Sequence, residues 1–395
     1  MTRFRPADER ALAEIIAAAV AQEEPLEIIA GGSKRGLGRP LQTPHVLDVT
    51  SLSGIRDYAP EELVLTAGAA TPMGEIESTL AAKGQMLAFE PPGWRGLLAG
   101  AGAPTLGGVI ACNLAGPRRI KMGAARDHFL GFRAVSGRGE AFKAGGKVVK
   151  NVTGYDLAKL IAGSYGTLAV LTEVTVKVLP LAPEERSLLL HGLDEAAALR
   201  AMTEALNSSH ELSGAAHLPA GESGSDRPLT ALRLEGPLPS VTARADALAR
   251  ELRAFGAAET LATEPSRTLW RGVREAAPLA AGPRVLWRCS VPPSAGPALA
   301  AAVSRAVDAR WFFDWGGGLV WLAVPGAGDA AASVIRGAMA ASGGHATLLR
   351  APDALRAAVS VFEPQPPALA ALTRRVKDAF DPKRILNRGR MYADV

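Results

Sequence analysis

Three glycine-rich turns hold the residues in this chain best suited to binding chemistry. Ala30-Gly31-Gly32-Ser33-Lys34 follows the apolar run Leu26 to Ile29, and Thr105-Leu106-Gly107-Gly108 lies inside a stretch dense in small residues. Gly163-Ser164-Tyr165-Gly166-Thr167-Leu168 stands between a short apolar helix and the alternating run Thr172 to Leu179. Several backbone amides can meet a pyrophosphate at once only where no side chain blocks the approach, and glycine gives that access. Ser33 and Lys34 add a hydroxyl and an ammonium to the first turn. One glycine pair is also how an ordinary strand ends, so the argument rests on the combination of turns in order. The G-x-G-x-x-G spacing between first strand and helix is missing, and so is a Walker lysine, which excludes the Rossmann and P-loop modes. A nucleotide cofactor held by dispersed turns is the expectation.

The other reactive residue types are sparse. Cys112 and Cys289 are the only cysteines and lie far apart, giving no disulfide framework and no iron–sulfur spacing. The six histidines, His45, His128, His191, His210, His217 and His345, are isolated, so no metal site is expected. Arg118, Arg119 and Lys121 form the densest basic group, suited to a substrate carboxylate, to a flat anionic cofactor, to an acidic partner or simply to a solvated face. His128, beside Asp127, suits either a base or a helix cap. Arg271, Arg274 and Arg288, with Trp270 and Trp287, are read as a further cleft wall, core or interface.

These residues need a scaffold, and the apolar periodicity describes one. Leu12, Ile15, Ile16, Ala19 and Val20 recur at helical spacing after a capping Asp8. Strands are expected at 26–30, 46–49 and 63–67, a helix from Pro72 through Met73, Ile76 and Leu80, and a hairpin over 132–142. Along 172–179 the valines 174, 176 and 178 should face one way and Thr175 and Lys177 the other, as in a half-buried strand. Pro180 and Pro183 mark a boundary. Beyond it a strand–helix–strand–strand–helix order occurs twice, over 187–255 and 285–341, the second followed by a strand at 346–349, like the split βαβ unit. The tail returns to helix through Leu372, Val376 and Phe380, then breaks at Asp381-Pro382.

With 395 residues, two domains are expected; 48% hydrophobic and 21% charged residues mark an ordered globular chain. The net charge of +5 is scattered, which fits an anionic ligand and excludes a nucleic-acid surface. The polar opening residues and the amphipathic 11–21 segment read as neither signal peptide nor membrane span. A reducing cytoplasm is the expected compartment.

Taken together, Ala30 to Lys34, Thr105 to Ala111, Asp156-Leu157 and Gly163 to Leu168 resemble the FAD-binding domain of the vanillyl-alcohol oxidase and p-cresol methylhydroxylase family. Asn113-Leu114-Ala115-Gly116-Pro117-Arg118-Arg119, Lys150-Asn151-Val152-Thr153-Gly154-Tyr155-Asp156 and Asp381-Pro382-Lys383-Arg384-Ile385-Leu386-Asn387 resemble the E-type FAD-binding subunits of bacterial glycolate oxidase, or glycolate dehydrogenase. The resemblance implies an α+β chain: a two-subdomain FAD-binding domain over 1–180, a cap domain of antiparallel sheet and helices in ferredoxin-like repeats over 181–368, and a segment 369–395 returning to the first domain.

It also implies roles for single residues. Ala30, Gly31, Gly32, Ser33 and Lys34, with Thr105, Leu106, Gly107 and Gly108, would hold the pyrophosphate. Asn113, Ala115 and Gly116 would pass the isoalloxazine ring, and Gly163, Ser164, Gly166, Thr167 and Val170 would fix the flavin and ribityl region. Asn387 would return to the ring edge; its other reading is a helix cap, as Asp156 reads as the N-cap of 157–162. No histidine lies in the 31–38 loop and Cys112 sits in an apolar stretch, so the FAD is expected to be noncovalent. The resemblance further implies work beside a catalytic flavoprotein of the D type and an iron–sulfur protein of the F type, the other members of a glycolate oxidase assembly. Together they would oxidise glycolate or D-lactate, with membrane contact only through partners. The histidine and glutamate clusters of the catalytic relatives are missing, which favours electron relay or assembly. A self-sufficient enzyme with Arg118, Arg119 and His128 in its pocket is the alternative, and a flavin-free scaffold the third.

Overall fold

The computed structural model describes residues 2–98, 100, 102–147 and 154–395; Lys150 to Thr153 of the tyrosine-bearing motif lie outside them. The chain divides into two compact units, the first made of Met1–Ala115, Gly123–Leu181 and Pro364–Val395, the second of Gly116–Met122 and Ala182–Glu363.

In the first unit the opening helix Glu9–Gln22 starts where Asp8 accepts the Ala11 N–H at 2.8 Å, and it buries Leu12, Ile16 and Ala19. They pack on Leu26, Leu47 and Val49, next to a three-stranded parallel sheet in which His45–Asp48 lies between Thr2–Phe4 and Leu26–Ile29. A five-stranded antiparallel sheet follows the order Ile55–Ala59, Val64–Gly68, Ala169–Lys177, Phe129–Ser136, Ala141–Gly145. Ala169–Lys177 leaves the third glycine turn directly and is central, buried on both faces. Val174 and Val176 are fully buried on one side, and on the other Thr175 shares a 2.9 Å hydrogen bond with Thr66. The half-buried strand expected here is therefore corrected: alternation arises from a hydroxyl pair on the second face, not from solvent.

The tail belongs to this unit. Its helix Pro367–Phe380 is followed by a segment that extends the parallel sheet, with Leu386 bridged to Leu26, the Leu26 N–H donating to Ile385 O at 2.7 Å and the Asn387 N–H to Leu26 O at 3.0 Å. A fully buried ion pair fastens it. Lys377 Nζ donates to Asp381 at 2.7 Å, to Thr167 O at 2.6 Å and to Leu386 O at 3.0 Å, while Asp381 also accepts the N–H groups of Ile385 and Leu386.

The second unit is one eight-stranded antiparallel sheet. Its order is Glu259–Leu261, Glu184–His191, Leu229–Gly236, Gly214–Leu218, Arg310–Asp314, Leu319–Val324, Val285–Ser290, His345–Arg350. Within each repeat the strands follow the spatial order fourth, first, third, second, and the two second strands meet at His217 and Phe313. Leu188, Leu190, Leu232 and Leu234 pack under Met202, Val241 and Leu248 of the helices in the first repeat, and Val285, Trp287, Val320 and Leu322 under Leu299, Val303 and Ile335 in the second. The Glu259–Leu261 strand is short and polar, so periodicity does not reveal it.

Candidate functional site

A cleft of about 840 Å³, open to solvent, lies wholly inside the first unit. Ala30, Gly31, Gly32, Ser33, Lys34, Thr105, Gly107, Gly108, Ser164, Gly166 and Val170 line it, so all three glycine turns converge there. Leu106, Asn113, Ala115, Gly163, Thr167 and Asn387 are not in its lining, and Gly116 belongs to the second unit.

The turns differ in what they offer. The amides of Gly31, Gly32 and Ser33 have no hydrogen-bond partner among the described residues. Gly32 takes the left-handed φ of 75° that aims successive amides to one side. Gly31 is glycine for another reason: a Cβ there would lie 1.8 Å from Ala103 O. In the second turn the Leu106 N–H donates to Thr71 O at 3.0 Å, the Gly107 N–H to Ala69 O at 2.7 Å, and the Gly108 N–H to Thr105 Oγ1 at 3.4 Å. The amides of residues 106–108 are thus engaged within the protein, and of the expected second-turn donors the Thr105 N–H alone has no partner among the described residues. Thr105 caps the helix Leu106–Ala111, and Gly107 lets it approach Ala69, where a Cβ would meet side chain and carbonyl at 2.8 Å. In the third turn the Gly163 N–H donates to Ile110 O and the Thr167 hydroxyl to Ser164 O at 2.7 Å. The Ser164 Oγ is buried with no partner among the described residues.

Asn387 is a clamp. Its Oδ1 accepts the Ile28 N–H at 2.8 Å and its Nδ2 donates to Tyr165 O at 2.8 Å, tying the first strand to the third turn from a left-handed φ of 42°. It does not cap the helix as the alternative had it; Asp156 does cap its helix, accepting from Lys159 N–H. Arg390, three residues further on, lines the cleft, donates to Lys34 O at 3.2 Å and was not foreseen. Lys34 and Arg390 thus place two largely buried cations there, while Arg35 is engaged by Glu27 at 2.6 Å. Burial pushes the Cys112 thiol up, against the pull of Lys34 and Arg390.

The residues expected at a substrate carboxylate are otherwise engaged. Arg118 makes a bidentate pair with Glu235, Nη2 to Oε1 at 2.7 Å and Nε to Oε2 at 2.9 Å, and stands 3.6 Å from Glu185. Burial alone would raise the Glu235 carboxyl, but Arg233 and Arg118 override it and hold it at about 2. Glu185, with burial dominant, is pushed up. Arg119 lies over the Trp315 ring at 4.5 Å, as does Arg288 at 4.8 Å. His128 belongs to the first unit, buried against Phe89 with centroids 5.3 Å apart. Trp270 and Trp287 are core residues beneath Arg233 and Arg336, not a cleft wall. Among the described residues no three His, Cys, Asp or Glu gather as a metal site, and no helix is long and apolar enough to cross a membrane.

The fold has close counterparts. p-Cresol methylhydroxylase with substrate bound matches with a TM-score of 0.71 at 14% identity, over 99% of this chain and 88% of that one. 4-Ethylphenol oxidase from Gulosibacter chungangensis matches with the same TM-score, over 99% and 89%. The family described as FAD binding domain matches residues 3–145, and that described as FAD linked oxidases, C-terminal domain, residues 361–391. The architecture is thus the p-cresol methylhydroxylase type of FAD-binding fold, in an FAD-linked oxidoreductase. Glycolate oxidase subunit GlcE of Escherichia coli (strain K12) is 36% identical over 387 residues, 98% of each chain. Glycolate oxidase subunit GlcD of Bacillus subtilis (strain 168) is 44% identical over 86 residues, 22% of this chain and 18% of that one. The chain belongs to the glycolate oxidase subunit GlcE family, and its cofactor is FAD. The cleft suits that group: amides and a buried hydroxyl without partners among the described residues, together with two cations, match a long anionic dinucleotide.

Proposed function

We propose that this chain is the FAD-binding subunit of a complex that oxidises glycolate, or D-lactate, to the 2-oxo acid. It relays electrons or supports assembly beside a catalytic flavoprotein subunit and an iron–sulfur subunit. The observation that carries this reading is the likeness to GlcE over 98% of both chains. GlcD, by its name, is a further subunit of a glycolate oxidase, and its likeness here is confined to 86 residues. The complex works in the cytoplasm and reaches a membrane only through its partners.

FAD, when bound, supplies reversible acceptance of a hydride or of single electrons. The chain's own part is to hold it noncovalently and set its surroundings. The Gly31, Gly32 and Ser33 amides meet the pyrophosphate, with Lys34 and Arg390 balancing its charge. The Thr105 to Gly108 turn supports that wall through Thr71 and Ala69. Ser164, Gly166 and Val170 line the flavin and ribityl region, fixed from behind by Thr167 and by the Asn387 clamp. Asn113 and Ala115, which lie in the same unit as the cleft but outside its lining, would pass the ring edge as the family resemblance implies. Arg118 and Arg119 are engaged within the second unit, which favours relay or assembly over an independent substrate site.

The test is the visible spectrum of the purified chain, recorded anaerobically before and after glycolate, and then with the two partner subunits added. Flavin bands that survive glycolate alone and bleach with the partners are expected. Bleaching of the isolated chain would establish a self-sufficient enzyme. No flavin uptake at all would overturn the reading and leave a scaffold.

A further inference from the structure

Beyond Lys34 the first glycine turn continues as a tight loop. The Arg35 N–H donates to Gly32 O at 3.3 Å and the Leu37 N–H to Lys34 O at 3.0 Å. Arg390, from the tail of the same unit, grips this loop at two places. Its guanidinium donates to Lys34 O at 3.2 Å, and its carbonyl accepts the Arg39 N–H at 2.8 Å. Between them Gly38, at a φ of 77°, is glycine because a Cβ there would lie 2.8 Å from the same carbonyl.

The tail is built in two ways. Up to Asn387 it is part of the core: Lys377 and Asp381 are fully buried, and Asn387 ties Ile28 to Tyr165. Past Asn387 the chain turns at Gly389, at a φ of 80°, and folds on itself, the Gly389 N–H donating to Val395 O at 2.8 Å and the Val395 N–H to Tyr392 O at 3.1 Å. Its side-chain ties are soft. Met391 Sδ lies 3.9 Å from the Thr167 hydroxyl of the third turn, and Arg374 meets Asp394 at 3.2 Å in a half-exposed pair that adds little stability. Arg390 is the exception, 8% exposed and lining the cleft, as is Lys34. Burial raises the Cys112 thiol in that cleft and both cations pull it back, so their fields reach one poorly solvated place. Two cations there repel each other, and an anion between them turns repulsion into attraction.

We propose that residues 388–395 are a strap across the first glycine turn, and that Arg390 makes strap and FAD fasten one another. The docked strap supplies a guanidinium to the pyrophosphate, and the pyrophosphate holds the strap docked. This rests on the reading that the Gly31 to Ser33 amides receive that group. The coupling is reciprocal, because a ligand that prefers the docked state shifts the strap by the affinity the strap adds.

Arg388 is exposed, so tryptic cleavage after it reports the strap. Cleavage of the full-length chain is timed free of flavin, with saturating FAD and with excess inorganic pyrophosphate, and FAD affinity is read by flavin fluorescence quenching. FAD should slow cleavage of the wild type on the order of tenfold or more. Arg390→Met should lose most of that protection even at saturation and weaken FAD on the order of tenfold, the worth of one charged hydrogen bond. Arg390→Lys, which keeps the charge without the fork, should restore part of both. Gly38→Ala lifts the strap from outside the cleft lining, so it should weaken FAD in the wild-type background and add nothing in Arg390→Met. FAD taken up with unchanged cleavage overturns the strap, as does wild-type affinity in Arg390→Met. Additive losses in the double variant overturn the coupling through Arg390. Wild-type chain that takes up no FAD sinks the functional reading, and pyrophosphate then decides the strap: slower cleavage keeps it as an anion-held segment, and unchanged cleavage removes it.

Discussion

The Gly31-Gly32 and Gly107-Gly108 turns look alike in sequence and differ in what their backbones are free to do. The first leaves three successive amides without partners among the described residues, at the edge of a cleft, and the second commits its amides to Ala69, Thr71 and Thr105. A glycine pair therefore reports close approach of something to a backbone, and only the hydrogen bonds decide whether that something is ligand or protein. Substitutions in the second turn should act on stability, and substitutions in the first on cofactor affinity.

The largest effect is expected behind the third turn, where the tail ion pair holds Thr167 O. Lys377 and Asp381 are both fully buried, so Asp381→Asn or Lys377→Met leaves an uncompensated charge or its orphaned partners, a loss of about 3–5 kcal/mol. Thermal melting of the flavin-free chain should show it, together with release of the tail to proteolysis. A variant that melts like wild type would remove the tail from the fold of the cleft.

His217 sharpens the contrast between cleft-facing and core-facing groups. Burial in the second unit's sheet pushes its imidazole from 6.5 down to about 4, against the opposing pull of Asp194, and its Nδ1 lies 2.9 Å from Thr230 Oγ1. Between those values the unfolded chain binds the extra proton. Stability should fall as pH drops from 6.5 toward 4, by roughly 3 kcal/mol from this group alone. His217→Gln should flatten that slope in denaturant titrations across the range. An equally steep slope in the variant assigns the acid sensitivity elsewhere.

Gly107→Ala tests the comparison directly. The added methyl meets Ala69 at 2.8 Å, so the chain should lose about 1–3 kcal/mol while the folded fraction binds FAD with wild-type affinity. Gly32→Ala meets no atom closer than 3.8 Å but must hold a φ of 75°, at about 1–2 kcal/mol. Its larger consequence should be in FAD affinity, read by flavin fluorescence quenching, because relaxing that φ turns the amides away. Equal affinity losses in both variants would mean that the two turns serve the cleft alike.

Local pattern made much of this legible. The capped opening helix, the paired strands, the doubled order of elements and all three turns follow from periods and turn residues within short windows. What escaped depends on partners far along the chain. Arg118 reads as an anion binder until Glu235, 117 residues away, closes on it. The amides of 106–108 read as available until Ala69 and Thr71 are placed, and Arg390 carries no signal at all beside the tail motif. The strand Glu259–Leu261 has one apolar residue in three, and the edge position that permits this is a tertiary fact.

The smallest effect separates ligand from protein most cleanly, because its two readouts have opposite signs. The Ser164 hydroxyl is buried beside the cleft and bonds nothing among the described residues, so in the flavin-free protein it is a desolvated polar group without return. Ser164→Ala should leave that form as stable as wild type or up to about 1 kcal/mol more stable. If the hydroxyl instead completes its bonding on FAD, the same substitution should weaken FAD binding by a factor of about 3–10, the worth of one hydrogen bond. Melting with and without saturating FAD measures both, since the stabilisation that a ligand confers follows its affinity. A variant that melts lower without FAD and binds it normally would place Ser164 with Gly107, among the residues that build the wall rather than face the ligand.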